Sequence, residues 1–481
     1  MESQYEIINP SPSSLVASLR SIGYSLETAV ADLIDNSITA NAKNVDIDSP
    51  FEGVNTKIFI MDDGEGMTEQ TLVEAMRLGS SSPYKERSRR DLGRFGLGLK
   101  TATFSQCKKL TVISKHRGII SARCWDLDMI VEQDKWLLSK EVPQEYIERL
   151  SSKESGTLVI WEHLDRIISL KDKRAESNFN NKKGLLRKHL SLTFHRFIEN
   201  GRLSIKVGGT PITPWNPFLP STQDGYKKEL PTSSECNGKV QIHGMVMPHR
   251  SYFSDAEYRE AGFGKGWTQM QGFYIYRGDR LLTAGGWLGL KSDGSSMLQE
   301  HHYDLARICV DISNDSDFDW DIDIKKSKAT PPDYLRESLS IIAKKIRSMA
   351  YETYSYRGTQ KTKKSRNGVS LIPLWNSVSE RNGKLYYSIN KDYPLIQDIL
   401  STLESEMARK LISLLKLIAE TLPVESIGFE ASKSNSKRMS RPYETEQDEL
   451  DEIRKTLIAS LIIKGMSEFE AKEQVDLLLD I

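Results

Sequence analysis

Hydrophobic residues recur at helical spacing from just after Ser25, a suitable N-terminal cap, to about Thr39. The apolar stripe of this predicted helix consists of Leu26, Ala29, Val30, Leu33 and Ile34. On a 3.6-residue repeat, Asp32 and Asn36 lie one above the other beside the stripe, whereas Asp35 points away from it. The pattern therefore predicts a helix on which Asp32 and Asn36 border a cleft.

Two apolar runs, residues 45–47 and 57–62, have the length and composition of strands, and the second is almost continuously apolar, as in a central strand. Asp62 ends this run, and Gly64 and Gly66 follow it. A carboxylate thus stands at a strand end beside backbone that a ligand can approach closely. The pentapeptide DDGEG taken alone is equally compatible with an ordinary strand-ending turn.

A glycine-rich segment, GRFGLG at residues 93–98, follows the polar stretch 79–91 and precedes a segment of helical character, 99–105. Glycines ahead of a helix are the composition of a phosphate cradle, although three glycines alone are a weak signal. Because Leu99 separates the last glycine from Lys100, this is not a Walker A loop. Strands predicted over 109–115 and 156–164 would complete a sheet with helices on one face.

Taken together, the helix with Asp32 and Asn36, the DDGEG turn, GRFGLG and the pair Gly156–Thr157 resemble the four-motif set of the GHKL ATPases, with MORC and MutL proteins as the nearest types. The resemblance covers about 130 residues and implies an α+β Bergerat domain with a mixed sheet under helices. A transducer (ribosomal S5-like) domain and a mainly helical C-terminal region would follow. The implied cofactors are ATP and Mg²⁺.

The resemblance also implies a role for each motif residue. Asn36 would be the magnesium ligand, and Asp62 would accept the adenine amino group with support from Thr157. Gly64, Gly66 and Met67 would line the base pocket. The ATP lid would consist of Gly93, Arg94, Phe95, Gly96, Leu97 and Gly98. Lys100 is either a phosphate neighbour or an exposed helix lysine.

The sequence departs from the family at the general base, where Asp32 stands in place of the usual glutamate. The carboxylate is one carbon–carbon step, about 1.5 Å, shorter. Displacements near 1 Å cost on the order of a hundredfold in rate. We therefore expect slow hydrolysis of ATP, and the alternative is nucleotide binding without turnover.

The stretch at residues 272–287 resembles a strand-turn-strand segment of MORC proteins, and WDIDIKKSKATPP resembles the segment that carries the transducer lysine. The alignment assigns this phosphate-sensing role to Lys328, with Lys325 and Lys326 as alternatives if the register slips. We predict an ATPase domain over 1–183 and a transducer domain over 184–345, with a hairpin marked by GG and Pro211 near its entry and a helix after Pro332. A basic linker with a small mixed module would occupy 346–430. A polar linker with a helical hairpin would occupy 431–481, and the capping box Ser467 to Glu470 would start its second helix.

Basic residues cluster in the predicted linker, where cations beside tyrosines suit contact with DNA. The cluster comprises Lys344, Lys345, Arg347, Lys363, Lys364 and Arg366. A second cluster comprises Lys171 to Arg174, Lys182, Lys183, Arg187 and Lys188. Solvated surface is the plain alternative for both, and plain packing is the alternative to effector binding by the C-terminal helices.

The 66 basic and 66 acidic side chains cancel, so whole-molecule charge favours neither a nucleic-acid nor a membrane partner. Four scattered cysteines and the lack of a long apolar segment predict a cytoplasmic protein. The resemblance implies an ATP-dependent homodimer that forms a clamp on DNA, in prokaryotic restriction or anti-phage defence. The alternatives are a nucleotide-gated scaffold that binds protein partners without DNA and, more remotely, a signalling kinase.

Overall fold

The structure is a computed structural model that describes residues 10–78, 98–169, 171–219, 227–292, 294–313, 319–323, 326, 329–354, 372–379, 385–424, 427 and 447–479. The chain divides into two compact units. The first comprises residues 1–247, 255–298 and 306–346, and the second comprises 248–254, 299–305 and 347–481. The predicted lid residues 93–97 and the residues Lys325, Lys328, Lys363, Lys364 and Arg366 lie outside the described residues.

The first unit contains an eight-stranded mixed sheet. Its strands are β1 (Asn44–Asp48), β2 (Ile58–Asp62), β3 (Lys109–His116), β4 (Ile119–Asp126), β5 (Leu138–Ser139), β6 (Gly156–Glu162), β7 (Ser204–Val207) and β8 (Thr210–Pro211). Their order is β5-β4-β3-β6-β2-β1-β7-β8, and only the β1/β7 pair is parallel. The predicted central position of β2 is confirmed.

Helices cover both faces of this sheet. They are α1 (Pro12–Arg20), α2 (Leu26–Thr39), α3 (Glu69–Met76), α4 (Gly98–Phe104), α5 (Leu127–Gln133), α6 (Gln144–Ser151), α7 (Ala175–Thr193) and α8 (His195–Glu199). Along β2, Ile58 and Ile60 join the large core that includes α2, whereas Phe59 joins a smaller cluster with Tyr146 and Leu150 of α6. The expectation of helices on one face is therefore wrong, because the continuous apolar run needs cover on both sides.

The N-terminal sheet extends beyond the predicted domain boundary at 183/184. Helix α7 runs through that boundary without a break. The hairpin of β7 and β8, predicted as the entry to the next domain, joins the first sheet because β7 pairs with β1. The helix and this edge pairing extend the first layer of the fold to Pro211.

A second sheet in the same unit has six strands. They are β9 (Lys228–Glu229), β10 (Ser233–Glu235), β11 (Val240–Val246), β12 (Gly272–Arg277), β13 (Arg280–Ala284) and β16 (Ala306–Ile312), with the order β10-β11-β16-β12-β13 and β9 beside β11. The predicted strand-turn-strand at 272–287 is confirmed as the hairpin of β12 and β13. Its turn residues Gly278 and Asp279 both have positive φ, as a tight hairpin turn requires.

Shorter elements complete this part of the chain. They are α9 (Asp255–Ala261), α10 (Trp267–Met270), the pair β14 (Lys291–Ser292) and β15 (Ser295–Ser296), the pair β17 (Asp321–Ile322) and β18 (Ala329–Thr330), and α11 (Asp333–Tyr354). The helix predicted after Pro332 is thus confirmed. Of the candidate lysines, Lys326 is described and lies between β17 and β18.

The second unit contains a β-hairpin and four helices in its described part. They are β19 (Trp375–Ser379), β20 (Leu385–Ile389), α12 (Pro394–Thr402), α13 (Ser405–Glu420), α14 (Gln447–Ile463) and α15 (Glu468–Leu479). The predicted capping box is confirmed, since Ser467 and Glu470 exchange backbone and side-chain hydrogen bonds. Leu457, Leu461 and Val475 of the two C-terminal helices pack into one core with Ile396 of α12. Among the described helices, none has the length and apolar character needed to cross a membrane.

Candidate functional site

Helix α2 carries the first two candidate residues. Ser25 caps it by accepting a hydrogen bond from the amide of Thr28, and the apolar stripe packs into the core of the first sheet. Asp32 is only 3% exposed, whereas Asn36, one turn later, is exposed. The helix therefore keeps the candidate base in a buried position and the candidate metal ligand at the surface.

The Oδ2 atom of Asp32 lies between Tyr24 and the start of α4. Tyr24 donates its hydroxyl to Oδ2 over 3.1 Å, and a Cβ added at Gly98, where α4 begins, would lie 3.6 Å from the same oxygen. The other oxygen, Oδ1, is buried and accepts no hydrogen bond from the described residues. Burial raises the pKa of Asp32, and the positive charge of Lys326 acts in the opposite direction. Oδ2 thus lies next to the start of α4, whereas Oδ1 lies 3.3 Å from Lys326 Nζ.

Asp62 occupies a second buried position at the end of β2. Its Oδ1 accepts the amides of Gly64 (3.0 Å) and Thr157 (3.1 Å), and its Oδ2 accepts the hydroxyl of Ser37 (2.8 Å). Desolvation raises the pKa of this carboxyl, and the hydrogen bonds oppose the rise. The antiparallel pairing of β2 with β6 places Thr157 next to Asp62. The structure therefore joins two of the predicted motifs around one carboxylate.

A hydroxyl network supports this corner. The Ser114 and Thr157 hydroxyls lie 2.9 Å apart, and Ser114 Oγ accepts the amide of Met67 over 2.8 Å. Gly66 has φ +69, and a Cβ there would lie 2.0 Å from the carbonyl oxygen of Lys115. The glycine after DDGE is therefore required by contact with β3 of its own chain, in addition to any contact with a ligand. Sequence reasoning missed Ser37 and Ser114, which carry no motif signal.

Lys100 does not lie on the exposed surface of α4. It is 2% exposed, and its Nζ donates to the carbonyl oxygen of Ala75 over 2.9 Å. Burial lowers its pKa to about 8. The alternative of an exposed helix lysine is therefore wrong, and the lysine links the end of α3 to the first turn of α4.

Two cations reach α2, one from the second sheet and one from the segment between β17 and β18. Arg280, directly after the β12–β13 turn, donates from Nε to Asp35 Oδ1 over 2.8 Å. Lys326 Nζ lies 2.6 Å from Asp35 Oδ2 and 3.3 Å from Asp32 Oδ1. The sequence alignment gave Lys326 as an alternative to Lys328 for the phosphate-sensing position. Of the three candidate lysines, Lys326 is the one that the structure describes.

Asp35 and Arg280 are functional candidates that the sequence did not identify. The helical repeat correctly turns Asp35 away from the core of its own domain, but the residue is fully buried because the second sheet covers it. The available signal was the second acid in DLIDN, next to the magnesium candidate. A repeat analysis of one helix contains no information about a cation that lies some 245 residues later in the chain.

The site residues are compatible with ATP and Mg²⁺. Among the described residues, no group of three His, Cys, Asp or Glu side chains could hold a metal by itself. A magnesium ion held by one protein oxygen, that of Asn36, with phosphate oxygens and water as its other ligands follows the usual habit of this cation. Oδ1 of Asp32 adds a buried acceptor that receives no hydrogen bond from the described residues.

The basic clusters are partly used within the chain. Lys182 donates to the carbonyl of Ile167, and Arg187 donates to the carbonyls of Val207, Thr210 and Pro211. Arg347 stacks over the ring of Tyr303 at 3.9 Å and pairs with Glu300 at 3.6 Å. These contacts give three members of the clusters a structural role of their own.

Comparison with known proteins identifies the class of the N-terminal domain. Residues 24–157 match the family described as histidine kinase-, DNA gyrase B-, and HSP90-like ATPase. The match contains Asp32, Asn36 and Asp62, and it ends at Thr157. The resemblance to GHKL ATPases predicted from the motifs is therefore confirmed.

Two curated relatives match parts of the chain. The ATPase morc-1 of Caenorhabditis elegans is 34% identical over 97 residues, which is 20% of this chain and 11% of the relative. The chaperone protein HtpG of Rickettsia canadensis is 26% identical over 212 residues, 40% of this chain and 30% of the relative. The chain therefore spans less than a third of the length of each of these relatives.

Among solved structures, the ATPase and transducer domains of DNA topoisomerase II from Balamuthia mandrillaris align with 68% of this chain and 84% of that chain. The TM-score is 0.38 and the sequence identity is 12%, so the overall likeness is low.

Proposed function

We propose that this chain, whose residues 24–157 form a GHKL-type ATPase domain, binds ATP with Mg²⁺ and hydrolyses it slowly. The observation that carries the proposal is the convergence of separate motifs on one site. Asp62 accepts hydrogen bonds from the DDGEG turn and from Thr157, while Oδ2 of Asp32 lies beside the start of α4. The Asp62–Thr157 and Asp32–Gly98 contacts join residues that are far apart in sequence.

In this proposal the Asp62 carboxylate accepts the amino group of adenine, and Asn36 offers its oxygen to magnesium. Magnesium held by Asn36 would supply positive charge that offsets part of the negative charge of the phosphates. Asp32 takes a proton from the attacking water, the water oxygen bonds to the terminal phosphorus, and the bond from that phosphorus to the bridging oxygen breaks to release ADP. Lys326, the cation beside Asp32, stabilises the charge that develops. In the register predicted from the sequence, Lys328 would stabilise this charge in place of Lys326.

Hydrolysis is slow in this scheme because the aspartate side chain is one methylene shorter than the usual glutamate. Tyr24 and the buried surroundings fix the position of the carboxylate, so the side chain has little freedom to reach further towards the water. A misplacement near 1 Å lowers the rate on the order of a hundredfold. Binding does not depend on this distance and is retained.

The pocket is tested with two variants and a matched control. Asp32→Asn should retain ATP affinity and lose at least about a hundredfold in hydrolysis, since an amide cannot accept the proton. Asn36→Ala should lose magnesium-dependent ATP binding. Glu27→Gln, the same type of change in the first turn of the helix, should change neither quantity. Unaltered turnover in Asp32→Asn, or unaltered affinity in Asn36→Ala, would contradict the assigned roles.

We further propose that ATP drives dimerisation of the N-terminal domains and that the dimer forms a clamp on DNA, in the prokaryotic restriction or anti-phage setting that the resemblance implies. The exposed Lys344 and Lys345 on α11 support contact with a phosphate backbone. Effector binding through the C-terminal helices belongs to the same proposal.

A specific observation favours a second candidate, a nucleotide-gated scaffold that binds protein partners without DNA. Arg187 and Arg347 bind groups of their own chain, and the net charge is zero. In addition, α13 exposes Met407, Leu414 and Leu417, which suit an apolar partner better than DNA. Duplex DNA that leaves the rate of ATP hydrolysis unchanged would favour this candidate.

A further inference from the structure

Four charged side chains, from α2, from β13 and from the segment between β17 and β18, form a buried cluster. Asp32, Asp35, Arg280 and Lys326 are between 0% and 8% exposed, and their formal charges cancel. Asp35 is bonded on both oxygens, by Arg280 on Oδ1 and by Lys326 on Oδ2. Oδ1 of Asp32 has two longer approaches, from Lys326 Nζ at 3.3 Å and from Arg280 Nη2 at 4.0 Å, and it accepts no hydrogen bond from the described residues. Asp35 is therefore the principal partner of the lysine in this state.

Arg280 also holds the backbone that carries the lysine. Its Nη1 donates to the carbonyl oxygen of Lys326 over 3.3 Å, and the amide of Lys326 donates to Asp323 O over 2.9 Å. Lys326 has φ +49, a left-handed conformation that costs energy for a residue with a long side chain. These backbone hydrogen bonds stabilise the strained conformation of Lys326. They hold the lysine in a position from which its side chain reaches the two carboxylates.

We propose that Asp35, supported by Arg280, determines how strongly the site prefers a nucleoside triphosphate to a diphosphate, by competing with the terminal phosphate for the ammonium group of Lys326. The inference rests on the proposed function, because it requires a nucleotide whose terminal phosphate lies next to Asp32. Asp35 acts as a positioning residue in this mechanism. It affects the nucleotide through Lys326 and need not touch it.

The arrangement of partners explains why the lysine can leave. A buried carboxylate that loses its sole cation is strongly destabilised. When Lys326 turns to a phosphate, however, Asp35 remains paired with Arg280 at 2.8 Å. One cation, Arg280, is enough to pair Asp35 and to join α2 to the second sheet. Lys326 is the second cation on Asp35 and is therefore the one that can move to another anion. This movement requires a ligand that places a negative charge near Lys326.

The competition predicts a change in selectivity more than in overall affinity. ADP has no terminal phosphate at this position and leaves Lys326 on Asp35. ATP must draw the lysine away and therefore binds less tightly than it would without the competitor. Neutralising Asp35 removes this opposing interaction for the triphosphate alone.

The test measures the dissociation constants of ADP and of a non-hydrolysable ATP analogue at one saturating magnesium concentration. In Asp35→Asn, the preference for the triphosphate analogue should rise about fivefold or more, which is the lower end of typical coupling between sites. Lys326→Gln should lower this preference, and Asp35→Asn should have no further effect in the Lys326→Gln background. Glu27→Gln is the control and should retain the wild-type ratio.

A second variant keeps the test decisive if Asp35→Asn does not fold. Asp35→Asn combined with Arg280→Gln removes one negative and one positive charge, so the buried cluster stays neutral, and it should show the same rise in the ratio. An unchanged ratio in either folded variant, or an equal loss of affinity for both nucleotides, would overturn the inference. Wild-type protein that binds neither nucleotide would instead contradict the proposed function.

Discussion

At the scale of single residues, the candidate base Asp32 accepts a hydrogen bond from a buried tyrosine, Tyr24. Tyr24 lies before the helix, is 6% exposed and donates to Oδ2 of the aspartate. Burial and the adjacent carboxylate raise the pKa of the tyrosine, so its hydroxyl remains a donor at neutral pH. The bond keeps Oδ2 engaged, so in the proposed mechanism Oδ1 is the oxygen that takes the proton from water.

We predict that Tyr24→Phe lowers the rate of ATP hydrolysis about tenfold and leaves ATP affinity within twofold of the wild type. A hydrogen bond to a charged group is worth about 1.5–3 kcal/mol, and its loss here frees the carboxylate to turn. Single-turnover hydrolysis and equilibrium binding measure the two quantities separately. Tyr276→Phe, which removes a buried hydroxyl from the second sheet, is the control. Equal rates in wild type and Tyr24→Phe would mean that the tyrosine only packs.

Individual residues differed in how well the sequence predicted them. Asp62 could be identified because Gly64 and Thr157 belong to motifs of fixed chemistry, and in the structure the amides of both residues donate to its carboxylate. Asp35 and Arg280 were not, because their pairing depends on how a second sheet covers α2. A periodicity argument identifies the side of a helix that faces its own core and does not identify a later partner of the other side.

At the scale of elements, Lys100 connects the two helices on either side of residues 79–97. Its ammonium bonds the carbonyl of Ala75 in the last turn of α3, and Trp125 of β4 bonds the next carbonyl, that of Met76. Two side chains thus satisfy carbonyls that a helix end leaves without an internal partner. The buried lysine fixes the distance between α3 and α4 in a way that a surface lysine could not.

This lysine should produce a measurable pH dependence of stability. Its pKa is about 8 in the folded chain and near 10.4 in an unfolded chain. Between these values the unfolded chain binds a proton that the folded chain lacks, so the contribution of Lys100 to the free energy of unfolding rises with pH, by at most roughly 1.4 kcal/mol per unit. Below pH 8 both states are protonated and the contribution is constant and lower.

We predict that Lys100→Met removes this rise. Denaturant unfolding between pH 7 and 10 should show the difference in stability between variant and wild type changing in favour of the wild type as pH increases. Lys135→Met, at an exposed position, should follow the wild type across the range. A constant difference between wild type and Lys100→Met would show that the ammonium stays charged at its site.

Elements were predictable wherever one local pattern sufficed. The Ser25 cap, the strands at 58–62 and 156–162, and the Ser467 capping box all follow from neighbouring residues. The predicted boundary at 183/184 falls inside α7, because this helix begins ten residues before its clear apolar stripe at 185. The pairing of β7 with β1 was also not evident from the sequence, because it joins segments some 160 residues apart. Register between distant strands is set by the assembled core.

At the scale of the whole molecule, the described C-terminal region is one unit with its own apolar core. Its two last helices bury Leu461 and Val475 against their own chain but expose Ile463 and Phe469. Helix α13 exposes Met407, Leu414 and Leu417. Packing within the chain therefore accounts for only part of the apolar surface that suggested partner binding.

We predict that a non-hydrolysable ATP analogue doubles the solution mass of the full chain and that ADP does not, because dimerisation in this proposal requires a terminal phosphate beside Asp32 and Lys326. Light scattering at fixed protein concentration measures the mass. Asn36→Ala, which should not bind the magnesium nucleotide, is the control and should stay at the mass of the apoprotein. A mass that is the same with the analogue, with ADP and without nucleotide would contradict nucleotide-driven assembly.

The same samples separate the two candidate functions. A DNA clamp should hydrolyse ATP several-fold faster with duplex DNA, and this stimulation should decline steeply as salt increases, since each phosphate contact releases counterions. Replacing the exposed Lys344 and Lys345 together by glutamine should reduce the stimulation and its salt dependence while the rate without DNA stays unchanged. Nucleotide-driven dimerisation without any effect of DNA would contradict the clamp. It would support the scaffold, because the energy of ATP binding would then act on a protein partner.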